Sequence, residues 1–241
     1  AIFTRILATI GLANLQENDN ELHFAAETYR QILQMAGDQP LQIIGEVHLG
    51  LARILYEWND LDAAEEHGQK SLQLELQYEK VIDRFILCEV FLARVTLARG
   101  DVASAAALLA KASQEARQRN YVHRIPEVAA AQVLTLLRQG NLEVASQLAQ
   151  AHDLSISQAR VYLAQGDPSA ALRLLEAWRQ HVEAKGWKDE ELRLMVLEAL
   201  AHQFQGKKAE AMQLIREALA LAEPGGFIRL FVDEGPAMAQ L

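Results

Sequence analysis

Cysteine is almost missing from this chain: Cys88 stands alone among 241 residues. A single thiol excludes an intramolecular disulfide and a paired-thiolate zinc site, and it fits a reducing cytosol, so a cytoplasmic protein is expected. On the long helix predicted around it, Cys88 reads as a small buried hydrophobe. Basic residues are also in short supply, with 23 Lys and Arg against 32 Asp and Glu, a formal charge of −9. That bulk field disfavours nucleic acid and anionic membranes as partners of this region. No apolar run approaches the ~18 residues of a membrane-spanning helix. The phosphate-binding GxxxxGK[ST], the dinucleotide GxGxxG and the GxSxG nucleophile elbow are all missing. With no converging catalytic constellation in their place, an enzyme is not expected, nor a cofactor in this region.

What is present is repetition. In the stretch Leu92 to Ala112, LARVTLARGDVASAAALLAKA, the pair Leu92-Ala93 is followed by Gly100-Asp101, then Ala105, Leu109 and Ala112 at helical spacing. Gly100 supplies the left-handed conformation that ends one helix, and Asp101 can cap the unpaired N–H groups that open the next. The same frame fits Leu51-Ala52 with Asn59-Asp60 and Ala64, and Gln132-Val133 with Gly140-Asn141 and Ala145. It fits Gln158-Ala159 with Gly166-Asp167 and Ala171, Glu198-Ala199 with Gly206-Lys207 and Ala211, and more weakly Leu12-Ala13 with Asn20 and Ala25. All six copies carry Ala where the second helix approaches the first. The facing residue is Ala in five copies and Val133 in the sixth.

This frame resembles the tetratricopeptide repeat, with a small residue in the first helix, Gly-Asp at the turn and Ala in the second helix. The usual period is about 34 residues, whereas the turns here step by 39, 41, 40, 26 and 40 from Asn20 to Gly206. The helices are therefore longer than standard, and the unit between Gly140 and Gly166 is clipped. The consensus Trp is missing, and the closing proline survives only as Pro224. The expected fold is all-α: a tetratricopeptide-like right-handed superhelix of about six antiparallel hairpins over residues 1–223, plus a C-terminal capping segment, 224–241.

The pattern predicts hairpins from Ile2–Glu17 with Leu22–Ala36, Ile43–Trp58 with Leu61–Gln77, and Lys80–Arg99 with Val102–Arg119. A break at Gly37-Asp38-Gln39-Pro40 puts Pro40 in the first turn of the next helix. After Asn120, a helix tolerating Pro126 near its start runs to Gln139, followed by Leu142–Ala151 and Ile156–Gln165. Asp167-Pro168 opens a helix that Gly186 ends near Lys185. Trp187–Gln205 and Ala209–Ala222 make the sixth hairpin. The closing FIRLFVDEGPAMAQL is too apolar for a loose tail and is expected to pack on the last repeat.

Candidate chemistry is sparse. Glu198 and His202 lie one helical turn apart as two metal-type ligands without an evident third, so no metal is expected. Asp189-Glu190-Glu191 suits the dipole at a helix start. Arg117, Arg119, His123 and Arg124 form a compact corner, too local for a nucleic-acid surface. One pattern is more pointed. In tetratricopeptide arrays the first helices line the concave groove, and the position two after the Leu-Ala landmark faces into it. Here that position is Asn14, Arg53, Arg94, Leu134, Arg160 and Leu200. Arg53, Arg94 and Arg160, with Tyr56 one turn beyond Arg53, would form a groove for a carboxylate-, phosphate- or hydroxyl-bearing ligand. The competing reading is that each arginine pairs with a neighbouring glutamate.

The segment Leu219 to Met238, LALAEPGGFIRLFVDEGPAM, together with the long hairpins and the turns Gly100-Asp101 and Gly166-Asp167, resembles the repeat domain of the maltose-activator (MalT-like) family, the large ATP-dependent branch of the LuxR-type transcription regulators. The most specific part is Ala222 to Pro236. The resemblance implies a sensor region that takes up an inducer and governs self-association. It also implies an ATP-binding module before the repeats and, after a linker, a helix-turn-helix that contacts DNA. The chain starts at Ala1 already in helical pattern, so it is expected to be cut from something longer, and the resemblance places both modules in that parent. Two readings of function follow: a signal-sensing and oligomerising region whose groove binds a small-molecule inducer or a protein partner, or a scaffold that grips only a peptide or protein.

Overall fold

The computed structural model describes residues 2–37, 41–77 and 83–241. Two sequence expectations, the turn at Asp38-Gln39-Pro40 and the helix start at Lys80, lie outside the described residues. Those residues carry helices and turns, with no strand among them: α1 Ile2–Asn18, α2 Leu22–Ala36, α3 Ile44–Glu57, α4 Leu61–Gln77, α5 Arg84–Ala98 and α6 Val102–Gln118. Then come α7 Ile125–Arg138, α8 Leu142–Ala151, α9 Ser155–Ala164, α10 Pro168–Lys185, α11 Lys188–Phe204, α12 Lys208–Ala222 and the single turn α13 Arg229–Val232. The chain forms two compact units, one through Ala131 and one from Gln132.

Local chemistry explains the hairpins. Each tight turn holds one residue with positive φ: Asn20, Asn59, Gly100, Gly140, Gly166 and Gly206. Asparagine and glycine reach this left-handed region most easily, so the sequence can end a helix there without strain. The next helix is then capped where its sequence allows. Asp101 accepts from Ser104 N at 3.0 Å, Asp167 from Ala170 N at 2.8 Å and Asp60 from Ala63 N at 3.2 Å. Pro168 follows its cap at the first helical position, where no N–H is needed.

The small residues set the packing distance. Ala25, Ala64, Ala105, Ala145, Ala171 and Ala211 are all fully buried, as are Ala13, Ala52, Val133, Ala159 and Ala199 facing them. In the first unit, Leu49, Tyr56 and Ala64 pack with Cys88, Phe91 and Val95, tying the second hairpin to the third. Gly50 has a specific reason to be glycine: a Cβ there would stand 2.6 Å from Cε2 and Oη of the fully buried Tyr29. Cys88 is buried, its thiol 3.1 Å from Ser71 Oγ and pushed up to about 11 by burial, as suits a core residue rather than a nucleophile.

In the second unit, Ala159, Leu175, Leu194 and Leu197 make the core between the fifth and sixth hairpins. The closing segment packs Leu230, with Phe227 and Phe231, against Leu192, Met195 and Ala218. It then turns along the first helices of this unit, where Ala237, Met238 and Leu241 rest on the Ala159–Leu197 core. Leu219 and Leu221 of α12 remain about half exposed.

Candidate functional site

The repeat-equivalent arginines sit on first helices, and each is held by an acidic partner. Arg53 of α3 makes a two-pronged contact with Glu17 of α1, Nε to Oε1 at 2.9 Å and Nη2 to Oε2 at 2.8 Å. Burial works against the Arg53 charge, but the Glu17 carboxylate outweighs it and raises the guanidinium above its ordinary range. Arg94 of α5 reaches Glu57 of α3 at 3.3 Å and lies 4.2 Å over the Tyr56 ring. Tyr56 is thus not an open groove wall: its ring is 1% exposed, covered by Arg94 and edge-on to Phe91 at 6.1 Å. Yet the Arg53 and Arg94 side chains keep 42% and 32% of their surface open.

Beneath Arg53 runs a polar network that sequence reasoning did not identify. The Tyr29 hydroxyl lies 2.6 Å from both Asn14 Oδ1 and Glu17 Oε2, its one proton shared between two acceptors. Burial and the Glu17 charge raise this phenol above its usual range, so it stays protonated. Asn14 Nδ2 donates to Glu46 Oε1 at 3.1 Å, and Arg84 bridges Glu46 Oε2 at 3.0 Å and Glu75 Oε1 at 2.7 Å. Glu75 is only 1% exposed and also accepts from Gln42 at 3.4 Å. Five helices, α1 to α5, are therefore stitched by one chain of charged and polar contacts. The sequence signal was available: the core-facing positions of α4 are Ala64, Gly68, Ser71 and Glu75. A carboxylate on that periodic face needs a cation from elsewhere.

In the second unit, Arg160 of α9 grips Glu234 of the closing segment, Nε to the two oxygens at 2.9 and 3.1 Å and Nη2 to Oε1 at 2.5 Å. Leu134 and Leu200 occupy the equivalent positions on α7 and α11. Glu198 and His202 lie on the wall of a hollow of about 550 Å³ between α10, α11 and α12. There Glu198 is engaged by Arg179, Nε to Oε1 at 3.2 Å with a shorter Nη2 contact to Oε2. Among the described residues no cluster of three or more His, Cys, Asp or Glu is placed to hold a metal. Asp189, Glu190 and Glu191 fall in the first turn of α11. The basic corner is locally paired: Arg124 contacts Asp83 at 2.5 Å and Glu127 at 3.0 Å, His123 also meets Asp83, and Arg119 meets Glu115 at 3.5 Å.

Antiparallel hairpins, glycine or asparagine turns, alanine contacts and polar side chains on the first helices define a helical-repeat module of the tetratricopeptide type. The sequence profile of the MalT-like TPR region matches residues 2–241, and the chain belongs to that family of repeat regions, which is not a family of enzymes. It is 27% identical over 237 residues to the HTH-type transcriptional regulator MalT of Serratia proteamaculans, and 27% identical over 238 residues to that of Yersinia pestis. Each match covers 91% of this chain and 26% of the relative, so the chain spans about a quarter of their length. Among solved structures, the Rap conjugation gene regulator of plasmid pLS20 in complex with the Phr* peptide aligns with a TM-score of 0.74 and 14% identity, covering 92% of this chain and 64% of that one. Aspartyl phosphate phosphatase F from Bacillus subtilis aligns at 0.67 and 11% identity, covering 95% and 63%. These likenesses show the fold.

Proposed function

We propose that this chain is the signal-sensing and oligomerising region of a cytoplasmic MalT-like, LuxR-family transcription regulator, with an inducer or partner bound on the first-helix face of the first unit at Arg53 and Arg94, where Tyr56 lies beneath Arg94, while Arg160 belongs to the first-helix face of the second unit. ATP binding and DNA contact then belong to other modules of the parent, and this region touches neither nucleic acid nor membrane. The observation that carries the reading is that Arg53 and Arg94 are locked on one edge by Glu17 and Glu57 while much of each side chain stays open. A guanidinium already oriented by a carboxylate, and still partly open to solvent, meets a ligand with little further ordering cost. Because Glu17 and Glu57 offset the charges of Arg53 and Arg94 there, the face favours hydroxyl or amide groups over bare anions.

The second reading, a scaffold for a peptide or protein, is favoured by the Rap fold, since one such regulator is described in complex with the Phr* peptide. A thermal-shift screen separates the two, because a ligand of the folded state raises the melting point by mass action, adding about 2.7 kcal/mol at a hundredfold excess over Kd. Sugars, sugar phosphates, carboxylates, nucleotides and peptides are screened, and hits repeated on Arg53→Ala, Arg94→Ala and Arg160→Ala. A saturable small-molecule shift lost in Arg53→Ala or Arg94→Ala supports the sensor. A response to peptides alone supports the scaffold, and shifts unaltered by every variant contradict both.

A further inference from the structure

The closing segment of the chain is only partly buried on the second unit. After Leu230 no residue of 231–241 is buried, although the segment is ordered along α7, α9 and α11. Its firmest attachments are polar. Arg160 holds the Glu234 carboxylate on three contacts, and Arg138 Nη2 donates to the Asp233 carbonyl at 2.7 Å. Gly235, at φ +81°, turns the chain against Arg138, and Pro236 follows. Small or flexible apolar residues, Ala237, Met238 and Leu241, then settle on the core surface.

This arrangement is that of a bound peptide rather than a core element. Its recognition elements are one occluded carboxylate, 8% exposed against an arginine 17% exposed, one backbone carbonyl and a short apolar run. The Glu234 charge is the centre of the site, because Arg160 meets it on three charge-assisted contacts. We propose that α7, α9 and α11 form a peptide-binding site whose resident occupant is residues 233–241. An external peptide of the same chemistry, a carboxylate followed by a turn and small apolar side chains, displaces that strap. A tethered occupant acts at an effective concentration in the millimolar range, so it masks the site from weak competitors and yields to a tighter one. The site rests on the groove reading only in lying on first helices. The screen at Arg53 and Arg94 can fail with this site intact, and the reverse also holds.

The test uses the full chain and a fluorescein-labelled synthetic peptide with the sequence of residues 232–241, read by fluorescence polarisation. Glu234→Ala loosens the strap, so this variant is expected to bind the peptide at least about tenfold more tightly than the unaltered chain. Adding Arg160→Ala should abolish that gain, and so should replacing the glutamate within the peptide. Equal binding by the two chains, or no binding by a Glu234→Ala chain that still melts cooperatively, would overturn the proposal. Hydrogen exchange on the unaltered chain is independent of any variant's folding. The amides of 233–241 should exchange by local opening, faster than those of α11 and faster still in raised salt. Exchange of the segment only through global unfolding would overturn it.

Discussion

At the scale of single residues, Gly50 and Arg84 show how tightly the first unit is specified. The Gly50 backbone lies against the Tyr29 ring, so Gly50→Ala forces a Cβ into a space 2.6 Å from ring atoms and should cost about 1–3 kcal/mol. Gly11 of α1 has nothing within 4 Å of its would-be Cβ, and Gly11→Ala should instead add roughly 0.5–1 kcal/mol through helix propensity. Urea denaturation of the two variants checks the opposite signs; equal effects would mean that Tyr29 does not seat on Gly50. Arg84 neutralises Glu75, which is almost wholly buried. Arg84→Met therefore strands a charge and should cost about 3–5 kcal/mol, while Arg84→Met with Glu75→Leu should recover most of the loss. If the double variant is no better than the single, the bridge is not what Arg84 supplies.

The arginines of the groove positions were legible as positions but their partners were not. Glu17 and Glu57 reach Arg53 and Arg94 from 36 and 37 residues earlier, one hairpin away, and Glu234 reaches Arg160 across 74 residues. Periodicity says which face a residue occupies. It does not say which of several nearby glutamates the stacking of hairpins brings within hydrogen-bonding reach.

At the scale of elements, the α3–α4 hairpin carries a pH-sensitive contact. His48 and His67 face each other across it, Nδ1 to Nδ1 at 2.8 Å, so one ring must accept what the other donates. Burial, then the neighbouring His67 and Lys70, lowers His48 to about 4; burial and Lys70 also lower His67. Both folded-state values thus lie below the ordinary ~6.5, and the unfolded chain binds more protons in that window. Stability is fully present above about pH 6.5 and falls as the pH drops toward 4. Urea midpoints measured across this range should decline, and His67→Gln should flatten the decline. Parallel curves for the two chains would show that the pair carries no linkage.

The helices themselves were the most legible part. Asn and Gly at positive φ, followed by Asp or Asn caps, punctuate the chain at intervals that the eye can follow, and α2, α4 and α8 have the bounds the pattern implies. Asp167→Ala should cost about 1 kcal/mol because its side chain satisfies Ala170 N at the start of α10. The path of residues 227–241 was not legible. Their apolarity implied packing, but the path along first helices is set by the Arg138 and Arg160 contacts and by the seating of Ala237, Met238 and Leu241, none of which periodicity foretells.

At the scale of the molecule, family and fold agree: the MalT-like TPR region profile spans residues 2–241, and the Rap-type likeness covers 92% of the chain. Repeats that touch only their neighbours transmit small changes to one another, which suits the coupling of binding to assembly proposed above. The central claim is that binding occurs on the first-helix face. It is tested most directly by hydrogen–deuterium exchange with and without the compound or peptide giving the largest melting shift. The account predicts slowed exchange in α1, α3 and α5, around Glu17, Arg53 and Arg94, with α2, α4 and α6 little changed. Slowing confined to α2, α4 and α6, or to the exposed end of α12, would contradict it.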